Sequence, residues 1–251
     1  MIKKLGICGD SFMSPPTFDV DGYGKHFSQK LSKRMGCELI PLSRGAATNF
    51  HIRLQIEEII KFNPDVVIVG TTSVDRLDLP LEWYLNSDPN NRINYKKIEL
   101  KDISYIGHKD LSSEIIKNPH PTTISQSIST LINKEVKAPG KDLLSEVQID
   151  TVERYFQYLY DPNYKRMIDS FMIADGIRKL IQNNIRFYVL NHMLDQTILD
   201  FGGSSVIPPY SDLIPQNYYS KEENAKYPFH TNEDEQDILA DKWFEKINNL
   251  I

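Results

Sequence analysis

A serine and a histidine far apart in the chain have the surroundings that nucleophilic catalysis needs. Ser11 follows Gly9 and Asp10 directly after a short apolar run at residues 5–8. If that run is the first strand of an α/β sheet, the serine lies at the strand end where open parallel sheets bind ligands. The glycine allows a tight turn that exposes the hydroxyl. These residue types are also common in turns and helix caps, so that alternative stays open.

His230 lies shortly before a segment with the pattern of an amphipathic helix. Residues 231–235 supply a capping residue and an acidic first turn. Apolar side chains then follow at helical spacing, at Ile238, Leu239, Trp243, Phe244 and Ile247. A loop histidine held against a helix N-terminus is well placed to reach a strand-end serine, so His230 is the candidate general base for Ser11.

Four short blocks of the chain, in this order, resemble those of the SGNH/GDSL-type hydrolases. The blocks are Gly9-Asp10-Ser11, Ser43-Arg44-Gly45, the apolar run that ends at Gly70, and His230 before a helical segment. The resemblance implies that Ser11 is the nucleophile and His230 the base. It also implies that the backbone N–H groups of Ser11 and Gly45 form an oxyanion hole. The implied reaction is hydrolysis of an ester.

Two positions depart from the family pattern. Thr72 stands where the family has the asparagine of the oxyanion hole, and its hydroxyl can donate one hydrogen bond. Asn49 is a second candidate donor, or else it caps the helix that follows. Tyr227 stands where the family has the aspartate that orients the base, and disabling that acid costs on the order of 10⁴ in kcat in the chymotrypsin example. Glu222, Glu223, a backbone carbonyl or an acid of the middle segment can orient the base instead. The alternative function is a catalytically weak or inactive module of the same fold that binds a glycan or protein partner.

Three further polar residues are predicted to bind substrate at the same sheet edge. Asp10 precedes the nucleophile. His192 follows a later apolar run and is also the second candidate, after His230, for a catalytic histidine. Arg76 closes a Ser-Val-Asp-Arg segment similar to one in SGNH-like proteins of phages and bacteria. Arg76 can bind a substrate carboxylate or a carbohydrate hydroxyl, or it can pair with Asp75 or Asp78.

Short apolar runs alternate with helical patterns along the chain. Strands are predicted at residues 5–8, 38–42, 66–70 and 187–191, with a weaker one at 206–207. Helices are predicted at residues 23–36, 50–62, 142–160 and 163–183, and after His230. This alternation is typical of a parallel sheet covered by helices on both faces. We expect one three-layer, doubly wound, flavodoxin-like α/β domain over residues 1–251.

Residues 78–140 interrupt this alternation with asparagine, lysine, serine, threonine and proline. A connection of this length in a compact domain is usually either a functional lid or poorly ordered. It leaves the sheet after the third strand, so we expect it to cover or border the Ser11 cleft. Its polar, tyrosine-rich composition favours carbohydrate O-acyl esters, acetyl esters above all, as substrates.

Composition argues against several other classes of protein. The 251 residues are 40% hydrophobic and 25% charged, enough for one sizeable core. A net charge of −5 without a basic cluster argues against a nucleic-acid partner. No stretch approaches the roughly 18 apolar residues of a membrane span, and the first residues lead into a strand rather than a signal peptide. The expected location is the cytoplasm, that of the host if the chain is phage-encoded.

No cofactor or metal is predicted. Cys8 and Cys37 make no disulfide framework and are expected to be buried, reduced thiols. The six histidines lack the spacing of zinc ligands. A nucleotide or flavin protein is disfavoured because the turn at Gly9 does not continue into a glycine-rich phosphate loop. The oligomeric state is left open.

Overall fold

The computed structural model describes most of an α/β domain. The described residues are 2–10, 12–13, 26–43, 47–74, 76, 146–192, 194–201, 206–207 and 233–248. Four residues predicted to matter for catalysis lie outside them, namely Ser11, Gly45, Tyr227 and His230. The predicted insertion at residues 78–140 lies outside them as well.

Five parallel strands within the described residues form one sheet, in the order β2-β1-β3-β4-β5. They are β1 Lys4–Cys8, β2 Glu38–Pro41, β3 Val66–Gly70, β4 Arg186–Leu190 and β5 Val206–Ile207. The central strand β3 is apolar and wholly buried, as expected for a strand covered on both faces. The predicted strands are confirmed to within one residue, and their order is the flavodoxin-like one.

The described helices begin where their caps allow. They are α1 Phe27–Met35, α2 Asn49–Ile60, α3 Glu146–Tyr158, α4 Pro162–Gln182 and α5 Glu233–Asn248. The N-cap of α1 is His26, so this helix begins at Phe27 rather than at residue 23. The N-cap of α2 is Thr48, so Asn49 is the first helical residue and not the cap. No helix in the described ranges is apolar over a length that would cross a bilayer.

Two helical layers cover the two faces of the sheet. On one face α2 and α4 pack over alternate strand residues, and this core includes Ile52, Ile56, Ile173, Ile177, Val67 and Val189. On the other face α1 and α5 pack over the intervening residues, and this core includes Leu5, Ile7, Ile68, Tyr188, Leu239 and Trp243. Gln236 on α5 accepts a hydrogen bond from the Phe27 N–H at 2.6 Å, which joins α5 to the start of α1.

The two cysteines are free thiols in different surroundings. Cys8 at the end of β1 is fully buried, and burial raises the pKa of its thiol far above the usual range. Cys37 is half-buried rather than buried as expected, although it packs against the core, and burial also raises the pKa of its thiol.

Candidate active site

The carboxyl ends of β1 and β3 lie side by side at one edge of the sheet because these strands run parallel. The β1 end continues into Gly9 and Asp10, and the β3 end continues into Thr71 and Thr72. The chain goes from β1 to β2 on one side and returns to β3 on the other, so these two ends flank the topological switch point. Open α/β sheets bind ligands in the crevice at that point. Gly9 and Asp10, which lead into Ser11, therefore lie where a site is expected.

The turn after β1 depends on two glycines and on Met13. Gly9 has a φ of +152°, a backbone conformation that residues with a Cβ adopt only with strain. A Cβ on Gly9 would lie 2.3 Å from Met13 Cγ, and one on Gly70 would lie 2.4 Å from the same atom. The Met13 N–H donates to the Asp10 carbonyl at 3.1 Å, which closes the turn over the ends of β1 and β3.

Asp10 is a buried carboxylate, only 3% exposed, whose oxygens are both engaged within the protein. Its Oδ2 accepts a hydrogen bond from Thr72 Oγ1 at 2.7 Å and pairs with an Arg76 guanidinium nitrogen at 2.9 Å. Its Oδ1 accepts from the Phe12 N–H at 3.0 Å. The carboxylate thus ties the turn after β1 to the segment after β3.

Arg76 points into the protein. Its side chain is 12% exposed, and a second guanidinium nitrogen donates to the Ala47 carbonyl at 2.9 Å. The expected acidic partners Asp75 and Asp78 lie outside the described residues, and the acid that the structure places beside Arg76 is Asp10. Substrate binding by Asp10 and Arg76 stays a prediction, since each is at present the partner of the other.

Thr72 and Asn49, the two side-chain candidates for an oxyanion hole, bind each other. Asn49 Oδ1 accepts from the Thr72 N–H at 2.9 Å, and Asn49 Nδ2 donates to the Thr72 carbonyl at 3.0 Å. Asn49 Nδ2 also donates to Asp169 Oδ2 at 2.9 Å, and the Thr72 hydroxyl donates to Asp10. An amide nitrogen carries two hydrogens and a hydroxyl carries one, so all of these donors are engaged. Their role at an oxyanion stays a prediction and requires one of these bonds to be exchanged.

Asp169 on α4 supplies the carboxylate behind Asn49. It is fully buried, and Lys165 Nζ, one turn earlier on the same helix, lies 2.5 Å from its Oδ1. A buried carboxylate needs such a cation and hydrogen-bond donors to offset its lost hydration. We call Asp10, Thr72, Asn49 and Asp169 the edge network, because their hydrogen bonds run from the sheet edge to α4.

Gln55 is a contributor that the sequence interpretation missed. It is fully buried on α2, its Oε1 accepts from the Gly9 N–H at 2.7 Å, and its Nε2 donates to the Gly9 carbonyl at 3.2 Å. Its sequence signal is a glutamine within the apolar stripe of Ile52, Ile56 and Ile59, because a polar residue on a buried face must find partners. The partner is 46 positions away and has no local signal.

The residues that follow Ser11 are held from the other side. The His26 ring contacts the Phe12 carbonyl through Nε2 at 3.1 Å. A carbonyl can only accept, so Nε2 carries the hydrogen and Nδ1 accepts the capping bond of α1. Ser43 Oγ donates to the Met13 carbonyl at 2.7 Å. The backbone is therefore anchored both before and after the candidate nucleophile.

His192 lies at the same edge, just beyond β4, with an exposed side chain. Its N–H donates to Thr71 Oγ1 at 2.6 Å, which fixes its backbone against the segment after β3. Its predicted role in substrate binding stays a prediction. Across the described parts of the chain, no group of three or more histidine, cysteine, aspartate or glutamate side chains is arranged to hold a metal ion.

Comparison with known proteins finds distant structural likenesses. No protein-family model matches the chain, and no curated protein matches it either. The crystal structure of an acetyl xylan esterase aligns over 97% of this chain and 99% of its own, with 14% identity and a TM-score of 0.34. A Bacteroides fragilis protein assigned as an acylhydrolase aligns over 99% of this chain and 88% of its own, with 11% identity and a TM-score of 0.32. Similarity this distant carries no argument about activity, so function is argued from the site.

Proposed function

We propose that the chain is a serine ester hydrolase of the SGNH type with Ser11 as its nucleophile. The observation that supports this most is the position of the Gly9 turn and Asp10 at the switch point between the ends of β1 and β3. The backbone on either side of Ser11 is held by Gln55 and His26. Such support matters for a nucleophile, because misplacing a reacting group by about 1 Å can cost about 10²-fold in rate.

In the proposed mechanism the Ser11 hydroxyl attacks the ester carbonyl while His230 accepts its proton. The bond to the leaving alcohol then breaks, His230 returns the proton to the alcohol, and an acyl-serine remains. Water then gives a proton to His230 and attacks this intermediate. The bond between the acyl carbon and Ser11 breaks, His230 returns the proton to the Ser11 oxygen, and the acid is released. The N–H groups of Ser11 and Gly45 hold the oxyanion, with Thr72 or Asn49 as a further donor, each donor contributing about 10²–10³ in kcat.

The proposed substrate is a small-molecule or carbohydrate ester, an O-acetyl ester above all, and the reaction needs no cofactor. His192 is exposed at this edge of the sheet, and Asp10 and Arg76 form an ion pair with little exposure there. Residues 78–140 are proposed to border the cleft. We expect acetate release from acetylated xylo-oligosaccharides with a higher kcat/KM than p-nitrophenyl butyrate gives. The opposite order would remove the carbohydrate preference.

Hydrolysis of p-nitrophenyl acetate tests the esterase proposal. We expect turnover by the unmodified chain and a loss of about 10³-fold or more in Ser11→Ala and in His230→Ala. A fluorophosphonate probe should label the unmodified chain and spare Ser11→Ala. Ser32→Ala is the control, because the Ser32 hydroxyl donates to the Gln29 carbonyl within α1, away from the site. Absence of both turnover and labelling in the unmodified chain would reject the proposal.

The engaged donors of Thr72 and Asn49 favour a second candidate, a module that binds a glycan or a protein without turnover. Tyr227 supports it too, since a phenol with a pKa of about 10 is not ionised near neutral pH and cannot support His230 as an aspartate does. Tyr227→Asp separates the two candidates. In an esterase with an unsupported base it should raise turnover, by at most about 10⁴. No activity in either form, with measurable glycan binding, would favour the module.

A further inference from the structure

Gln55 and Asn49 repeat one arrangement at two places on α2. Gln55 bonds the N–H and the carbonyl of Gly9, at 2.7 and 3.2 Å. Asn49 bonds the N–H and the carbonyl of Thr72, at 2.9 and 3.0 Å. A side-chain amide offers the same donor and acceptor as a peptide group, so each takes the place of a neighbouring strand where the sheet ends. One helix thereby holds the turns after β1 and β3.

Burial indicates that the Gln55 side chain serves Gly9 rather than the core. It is fully buried beside Ile52, Ile56 and Ile59, which form the apolar face of α2. A buried amide costs free energy unless its polar groups are bonded, whereas an aliphatic side chain would fill this position without that requirement. Both polar groups of Gln55 bond a single residue, and that residue is Gly9.

We propose that Gln55 is a positioning residue for Ser11, an inference that rests on the proposed esterase function. Gly9 lies two residues before Ser11 and has no Cβ to restrict its backbone. Its φ of +152° is one of many conformations open to a glycine, and the paired bonds from Gln55 select it. Removing the amide therefore displaces the nucleophile without removing any group that contacts substrate.

Gln55→Met tests this directly, because methionine has a similar length and neither hydrogen-bonding group of an amide. We expect kcat for p-nitrophenyl acetate to fall about tenfold or more, since the nucleophile is misplaced. KM should stay within a factor of about two, because substrate contacts remain. Gln182→Met is the matched control, the same substitution at an exposed position on α4. Unchanged kcat in Gln55→Met beside an active unmodified chain would overturn the proposal.

Amide hydrogen exchange gives a readout that does not depend on activity. In Gln55→Met the Gly9 amide should exchange about tenfold faster or more, while the Val67 amide in β3 keeps its protection. Unchanged Gly9 exchange would overturn the proposal. Gln55→Leu is the second variant should Gln55→Met fail to fold. It also lacks both hydrogen-bonding groups of the amide, so we expect the same fall in kcat and the same faster exchange of the Gly9 amide. An unmodified chain without turnover would reject the esterase function itself, and with it the role of Gln55 in catalysis.

Discussion

The aspartates at the two edges of the sheet differ in their exposure to solvent. At the carboxyl edge Asp10 is 3% exposed and Asp169 fully buried, and both have a cationic partner and hydrogen-bond donors inside the protein. At the amino edge Asp65 is exposed, and its Oδ2 accepts from the N–H groups of Lys3 and Lys4 at 2.7 and 2.9 Å. At each edge an aspartate thus joins β1 to β3. Asp10 at the carboxyl edge is buried, whereas Asp65 at the amino edge is exposed to solvent.

This difference in exposure indicates that the carboxyl edge has a role beyond the stability of the fold. An exposed carboxylate that bonds two backbone N–H groups is enough to align the start of two strands. Burying Asp10 and Asp169 adds a desolvation cost that aligning strands does not require. Asp10 holds the turn after β1 through the Phe12 N–H, and Asp169 holds Asn49, which bonds the backbone of Thr72. The cost is consistent with a site at the carboxyl edge and with a purely structural role at the amino edge.

Asp169→Ala tests how much a buried carboxylate contributes to stability. It removes the acceptor of Asn49 and the counter-ion of Lys165, and we expect a loss of about 3 kcal/mol in the free energy of unfolding. Asp175→Ala is the control on the same helix, since Asp175 pairs with Arg53 at the surface and should cost less than about 1 kcal/mol. Urea unfolding at neutral pH measures both. Equal losses would mean that burial does not distinguish the two carboxylates.

The same substitution, aspartate to asparagine, can be made at both edges. Asp10→Asn keeps the shape of the side chain but removes the charge that Arg76 and Thr72 contact. We expect the free energy of unfolding to fall by about 2 kcal/mol. Asp65→Asn should cost less than about 1 kcal/mol, because water replaces part of the lost interaction. Only Asp10→Asn should also lower kcat. An equal or larger cost at Asp65 would reverse the assignment of the two edges.

The smallest effect is the pH dependence of Asp65. The backbone N–H of Lys3 is the largest cause that lowers the pKa of this carboxyl group, followed by that of Lys4. A folded pKa below the unfolded value of about 3.9 means that Asp65 stabilises the fold above that pH. The stability it adds is lost as the pH falls through the folded pKa. The free energies of unfolding of the unmodified chain and of Asp65→Asn should therefore differ near pH 6 and converge as the pH falls below about 4. A constant difference would contradict this account.

Much of the fold follows from local pattern, whereas the contacts of the site do not. Apolar runs that end in glycine or polar residues predict the strands, because a strand covered on both faces has little choice of residue. Helix starts are less accurate. His26 is an uncommon cap, so the start of α1 is misplaced, and Thr48 rather than its neighbour Asn49 caps α2.

The site shows where a sequence interpretation stops. The sequence identifies Asn49 and Thr72 as hydrogen-bond donors, but tertiary packing determines their acceptors. Asn49, for example, donates to Asp169, which lies 120 positions later in the chain. Gln55 looks like a polar interruption of a helix until Gly9 is seen beside it. The residue types indicate that chemistry is available, while long-range contacts decide which hydrogens are already in use. The roles of Ser11 and His230 stay predictions that the proposed experiments test.

The hydrogen bond between Gln236 and Phe27 joins residues 209 positions apart, so it can form only late in synthesis. The sheet face formed by Leu5, Ile68 and Tyr188 is closed by Trp243 on α5. Until α5 has left the ribosome this face has no cover from it, and the nascent chain presents apolar strands to its surroundings. Pairing across so long a separation also slows folding, because the chain must close a large loop before the contact forms. We expect the domain to complete its fold only once α5 has emerged, and to depend on chaperones until then.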